Sequence, residues 1–204
     1  MRIILIDDHA LFAKSLEIAL EGTPEIERFQ SVSNVSEAVS VIKRERPDII
    51  LMDIHLSSSG SEDGILLAKQ ILHEVPEANI VMLTGYDLPV YRYEAQKIGA
   101  KGFLNKHMDP EEVVQALLDI QNGLLHFPTS IEFIETLTDS EKQILQLLSD
   151  GFKRKEIASM LYISERTVSN HLQHTFEKLK VSSSLEAVSK GIQLGYIQPI
   201  FKTN

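Results

Sequence analysis

The chain of 204 residues contains no cysteine. That removes disulfides, zinc–thiolate centres and thiol nucleophiles from any account of its fold or chemistry, and it suits a reducing compartment. No apolar run approaches the roughly 20 residues that a membrane-crossing helix needs. The opening "MRIILIDDHALF" is interrupted by two aspartates and does not read as a signal peptide. The expectation is a soluble, cytoplasmic protein with no membrane partner. The first turn after its opening apolar run, "DDHALF", also lacks the glycines and hydroxyls of a phosphate cradle, which argues against a flavin there.

Charge is unevenly spread. The net charge is −9, but residues 1–125 hold 11 basic and 20 acidic side chains, whereas residues 138–204 hold 9 basic and 7 acidic ones. Such asymmetry points to different partners for the two halves. The small basic excess of the second half does not by itself identify nucleic-acid binding.

The first half alternates between short apolar runs and amphipathic stretches. "RIILID", "IERFQSVS", "DIILMD", "ANIVMLTG" and "KGFLNK" read as strands, each followed by a helical pattern. Ser33 or Asn34 is a candidate cap for the second helix, and Asp109 with Pro110 opens the fifth. Five β-α units predict an α/β doubly wound, five-stranded parallel sheet of flavodoxin-like type over residues 1–122. Residues 123–136 read as a linker with a partial helix, and residues 137–204 as a small all-α domain.

Right-handed crossovers bring the C-terminal ends of parallel strands to one edge, where ligands bind in such sheets. The residues at those ends are Asp7 and Asp8, Asp53, Thr84 and Lys106. One Asp after a strand is an ordinary cap or turn residue. Three carboxylates converging on one pocket repel each other unless a cation or a proton intervenes. Hard oxygen ligands without cysteine favour Mg²⁺. A metal ion, an ammonium and a hydroxyl around a carboxylate form a site for a phosphoryl group.

The segments "ILIDDHALF", "DIILMDIHL", "IVMLTGY" and "GAKGFLNK" resemble the receiver domain of bacterial two-component response regulators. The resemblance implies that Asp53 accepts a phosphoryl group from the phosphohistidine of a sensor histidine kinase. It implies that Asp8 binds Mg²⁺ directly and Asp7 through water, with Asp53 and the main-chain carbonyl of His55 completing the protein ligands. Thr84 and Lys106 would hold the phosphoryl oxygens. Phe103 stands at the place of the switch aromatic; its other reading is a plain core residue. His55 and Tyr86, two residues beyond Asp53 and Thr84, stand where side chains tune phosphorylation and hydrolysis. The chain is then a phosphoacceptor with slow self-dephosphorylation, not an enzyme.

In the second half, "KRKEIASMLYISERTVSNHLQHTFEKLK" reads as two helices around a tight break. Val168, Leu172, Phe176 and Leu179 form an inward stripe on the second helix, with Ser164 as its N-cap. Arg166, Thr167, Ser169, Asn170, Gln173 and His174 then lie outside, with Lys153 and Lys155 on the preceding helix. Periodicity alone fits an ordinary helical hairpin equally well. The motifs Lys-Glu-Ile-Ala, Ile-Ser-Glu-x-Thr-Val-x-x-His and Lys-Leu-x-Val, however, resemble the LuxR-type helix-turn-helix, and with the first half they resemble the NarL/FixJ class of response regulators. This implies a homodimer formed on phosphorylation, double-stranded promoter DNA as partner, and RNA polymerase as a further contact. Ser169 and Gln173 stand where relatives often carry lysine, which predicts weak DNA binding by the monomer. Val188, Ile192 and Leu194 are either dimer contacts or core. A reading without phosphorylation, as a DNA-binding protein with a receiver-like dimerisation module, remains open. So does the role of the long loop 57–63, which is either a tolerated surface insertion or a gate over Asp53.

Overall fold

The structure, a computed structural model, describes residues 1–56, 64–128 and 135–198. The serine-rich loop 57–63, and any partial helix within 129–134, lie outside the described residues. The chain forms two compact units, an α/β unit followed by an all-helical one.

In the first unit the order is β1 (Arg2–Ile6), α1 (Ala10–Leu20), β2 (Arg28–Val32), α2 (Ala38–Glu45), β3 (Ile49–Asp53), α3 (Gly64–Glu74), β4 (Ile80–Thr84), α4 (Pro89–Ile98), β5 (Gly102–Asn105) and α5 (Pro110–Gln121). The five strands are parallel, in the order β2-β1-β3-β4-β5. Strand side chains alternate between two apolar layers. Ile4, Ile6, Ile50, Met52, Ile80 and Met82 pack with residues of α2, α3 and α4. Ile3, Leu5, Ile49, Leu51, Val81 and Leu83 pack with residues of α1 and α5. Helices on both faces explain why β3 and β4 are buried at every position.

Local details depart from the sequence reading in three places. Asn34 does cap, but it caps a short 3-10 turn at Val35–Glu37, after which α2 begins. Asp109 precedes α5 in extended backbone, yet its carboxylate makes no cap hydrogen bond. Residues just after α5 are not a bare connector: His126 runs beside β5, its N–H donating to Lys101 O at 3.0 Å and its carbonyl accepting from Phe103 N–H at 2.8 Å.

Glycine is required where α3 starts. A Cβ on Gly64 would lie 1.9 Å from the carbonyl oxygen of Asp53. The Gly64 N–H donates to Ile54 O at 2.8 Å, so the helix start is pressed directly against the end of β3.

The second unit contains α6 (Asp139–Ser149), α7 (Arg154–Met160), α8 (Glu165–Leu179) and α9 (Ser184–Leu194). Ile144, Ile157, Ala158, Val168 and Leu172 form its core, with Leu161 and Phe176 packed against it. Thr138 caps α6 in a reciprocal box with Glu141. Among the described residues, no helix is long and apolar enough to cross a membrane.

Candidate functional site

The strand ends meet as the topology demands. Asp7 and Asp8 follow β1, Asp53 ends β3 and Thr84 ends β4. Lys106 lies one residue past β5, not within it, and its N–H donates to Thr84 O at 2.8 Å. Asp7, Asp53 and Thr84 are 1%, 2% and 0% exposed, so these polar groups sit within the protein. The Lys106 ammonium joins two of them, at 2.7 Å from Asp7 Oδ2 and 2.8 Å from Asp53 Oδ2. It also lies 4.6 Å from the centre of the Phe12 ring, which shields it from water.

Burial pushes the Asp53 carboxyl above its ordinary value. The hydrogen bond and charge of Lys106 and the N–H of His55 offset part of this, while the Asp7 charge adds to it. Asp8 contributes a different feature. Its Oδ1 is buried and accepts no hydrogen bond among the described residues, although the His9 Nδ1 lies 3.0 Å away as a conditional ion-pair partner. A buried unsatisfied oxygen is costly in a folded protein. The ligand atoms of Asp7, Asp8, His9 and Asp53 all lie within 4.8 Å of one another. This set, mostly hard oxygens with one unsatisfied, fits a divalent cation.

Residue His9 was not singled out by the sequence reading. Its Nδ1 is 3.1 Å from Asp7 Oδ1, 3.0 Å from Asp8 Oδ1 and 3.7 Å from Asp53 Oδ2. The only signal available was its place directly after the acidic pair. Its side chain is 62% exposed, so the imidazole covers the carboxylates from the solvent side.

Thr84 faces the pocket edge, but its hydroxyl is already engaged, accepting from Tyr86 N–H at 3.0 Å and meeting Tyr86 O at 3.3 Å. Phe103 is 4% exposed and packs in the sheet core. His55 is half-buried; its Nε2 is 3.1 Å from the Tyr91 hydroxyl, and its ring stands edge-on to Tyr86 and Tyr91.

On the helical unit, Lys153, Lys155, Arg166, Asn170, Gln173 and His174 are exposed. Thr167 and Ser169 are only half-buried rather than open. The Thr167 hydroxyl lies 2.8 Å from that of Ser164, and the Thr167 N–H is capped by it at 3.1 Å. Gln173 donates to Glu177 Oε1 at 3.0 Å, so it is exposed but not idle. Val188, Ile192 and Leu194 are all half-buried on α9.

Two family models match the chain. Residues 3–118 match the response regulator receiver domain, and residues 135–190 match the luxR family of bacterial regulatory proteins. The transcriptional regulatory protein DegU of Brevibacillus brevis is 28% identical over 228 residues, covering 97% of this chain and 95% of its own. The uncharacterized transcriptional regulatory protein YhcZ of Bacillus subtilis (strain 168) is 30% identical over 203 residues, covering 92% and 93%. Among solved structures, that of two RcsB dimers bound to two parallel DNAs has a TM-score of 0.66 at 24% identity, covering 93% of this chain and 96% of that one, a likeness of fold.

Proposed function

Because the chain belongs to the two-component response regulators that join a receiver to a LuxR-type DNA-binding domain, we propose that it is a phosphorylation-controlled transcription regulator working in the cytoplasm, with Asp53 as phosphoacceptor. The observation that carries this reading is the Lys106 ammonium held between Asp7 and Asp53, at 2.7 and 2.8 Å, in a buried pocket. A structural ion pair needs one carboxylate per cation. Here three carboxylates and one lysine share a site at a sheet edge, and one buried carboxylate oxygen accepts no hydrogen bond among the described residues.

The donor is the phosphohistidine of a sensor histidine kinase. A carboxylate oxygen of Asp53 bonds to phosphorus as the phosphorus–nitrogen bond breaks, and the imidazole leaves with the electron pair. Lys106 and the Thr84 hydroxyl hold the phosphoryl oxygens. Asp8, Asp53 and the His55 carbonyl would hold Mg²⁺, with Asp7 supporting them. When bound, Mg²⁺ offsets charge on the phosphoryl oxygens and among the carboxylates.

To donate to a phosphoryl oxygen, the Thr84 hydroxyl has to turn its proton away from Tyr86 O. That exchange is the local event that biases the β4–α4 region and Phe103 between two arrangements and shifts the chain towards a dimer. The dimer presents two α8 helices to adjacent half-sites of promoter DNA. RcsB, of similar fold, is seen as DNA-bound dimers.

The test is acid-labile phosphate on the wild type and on Asp53→Asn, with a small phosphodonor and Mg²⁺ and then with a cognate kinase. Label on the wild type alone is expected. Absence of any Asp53-dependent label would leave a phosphorylation-independent regulator with a receiver-like dimerisation module.

A further inference from the structure

Tyr162 forms the turn between α7 and α8 with φ at 55°. The end of α7 calls for a left-handed residue here, since the helix closes at Leu161 and Ile163 N–H returns to Ala158 O at 3.0 Å. Glycine or asparagine fills such a position without strain, while a bulky residue there is an outlier that costs stability. Among the described residues, two other non-glycine residues have positive φ, Arg46 and Lys180. Both are cations at helix C-termini, where their charge meets the helix dipole. Tyr162 brings no such return. Its side chain is 96% exposed, so the ring buries almost nothing in the fold.

An aromatic residue that costs stability and contributes no packing points to a partner outside the chain. Its place indicates which. Tyr162 stands two residues before Ser164, the N-cap of α8. A recognition helix enters the major groove by its N-terminal end while the preceding helix crosses the backbone. The turn between them therefore lies at the lip of the groove, beside the phosphates. We infer that Tyr162 is a DNA-backbone contact, its phenol hydroxyl donating a hydrogen bond to a phosphate oxygen next to the groove that α8 enters. The inference rests on the DNA-binding reading of α8. The contact is neutral and independent of sequence, and it suits a helix that carries Ser169 and Gln173 where lysines would otherwise supply affinity.

The test measures binding of the full chain, incubated with a small phosphodonor and Mg²⁺, to a pool of random duplexes of about 30 base pairs, long enough for two half-sites, and to a single duplex enriched from that pool. Variants are Tyr162→Phe, Tyr162→Gly and Arg166→Ala. Tyr162→Phe keeps the ring and the strain and loses only the hydroxyl. It is expected to bind about tenfold more weakly, as for one lost hydrogen bond to a charged group. The loss should be equal on both probes, with the salt dependence unchanged because no cation is removed. Tyr162→Gly should bind no better than Tyr162→Phe and melt no lower than the wild type. Wild-type affinity in Tyr162→Phe, a loss confined to the enriched duplex, or a lowered melting temperature in Tyr162→Gly would each overturn the inference. If Arg166→Ala weakens binding while Tyr162→Phe does not, the DNA-binding reading stands and this contact falls. If the wild type binds neither probe, both fall.

Discussion

Each half of the molecule buries a carboxylate against a lysine, and the two do so differently. In the helical unit Glu141 is 3% exposed and pairs with a lysine of its own: its Oε2 accepts from the Lys178 ammonium at 2.7 Å and from the Thr138 N–H at 2.7 Å. In the α/β unit Lys106 is divided between two carboxylates, and a neighbouring buried oxygen of Asp8 accepts no hydrogen bond among the described residues, with only the His9 imidazole beside it at 3.0 Å. The first arrangement sets one carboxylate against one lysine. The second is incomplete as it stands, and its deficit is of the kind a cation and a phosphoryl group would fill. Satisfaction of polar groups, more than their burial, separates the structural ion pair from the functional one.

The largest expected effect comes from removing the shared cation. Lys106→Ala leaves Asp7 and Asp53 buried without a counter-charge, which should cost about 3 kcal/mol of stability, read by urea denaturation at neutral pH. Added Mg²⁺ should restore part of the loss, since a ligand of the folded state stabilises it. Arg166→Ala on the exposed face of α8 should change stability by no more than about 0.5 kcal/mol. A Lys106→Ala protein as stable as wild type, with or without Mg²⁺, would dissolve the contrast between the two ion pairs.

This contrast was only partly legible in the sequence. The sheet was, because short continuous apolar runs alternating with amphipathic helices leave a parallel doubly wound arrangement as the simplest burial. So were Asp7, Asp8, Asp53, Thr84 and Lys106, because parallel strands bring such ends to one edge whatever the loops do. The position of His9 over the carboxylates depends on how the chain enters α1, where its backbone is neither helical nor capped by a side chain. The engagement of Thr84 by Tyr86 depends on a loop path that no periodicity encodes. On α8 the spacing of Val168, Leu172 and Leu179 marked the inner face, but Thr175 is also wholly buried there. It satisfies itself by donating to His171 O at 2.9 Å, a local bond that lets a polar residue occupy a core position.

The second prediction uses the satisfied pair. Burial alone would raise the Glu141 carboxyl, but the Lys178 hydrogen bond and the Thr138 N–H outweigh it, and the group is held below its ordinary 4.5. A carboxyl with a lower value in the folded state favours folding when ionised. Its contribution is complete above the unfolded value and is lost as pH falls through the folded one. Thermal melts of the helical unit's signal should therefore drop in the acid range below about pH 4.5, and Glu141→Gln should flatten that drop while lowering stability at neutral pH. An equally steep acid drop in Glu141→Gln would remove this pair as its source.

The smallest effect concerns the face that remains open. Ser164 caps α8 by accepting from the Thr167 N–H at 3.1 Å. Ser164→Ala should cost about 1 kcal/mol of stability, as other lost N-caps do. Ser164→Asp should keep the cap, since a carboxylate serves there and also suits the helix N-terminus. On duplex DNA the order reverses. Ser164→Ala removes a small neutral group and should bind nearly as the wild type does, once it is folded. Ser164→Asp sets a negative charge where α8 is proposed to meet phosphates, and it should bind weakly despite its stability. Opposite rankings in melting temperature and in DNA affinity would mean that the start of α8 is held by the fold for a purpose outside it. Matching rankings would make Ser164 a cap and nothing more, and the outer face of α8 would then have to bind DNA by some other part of its length.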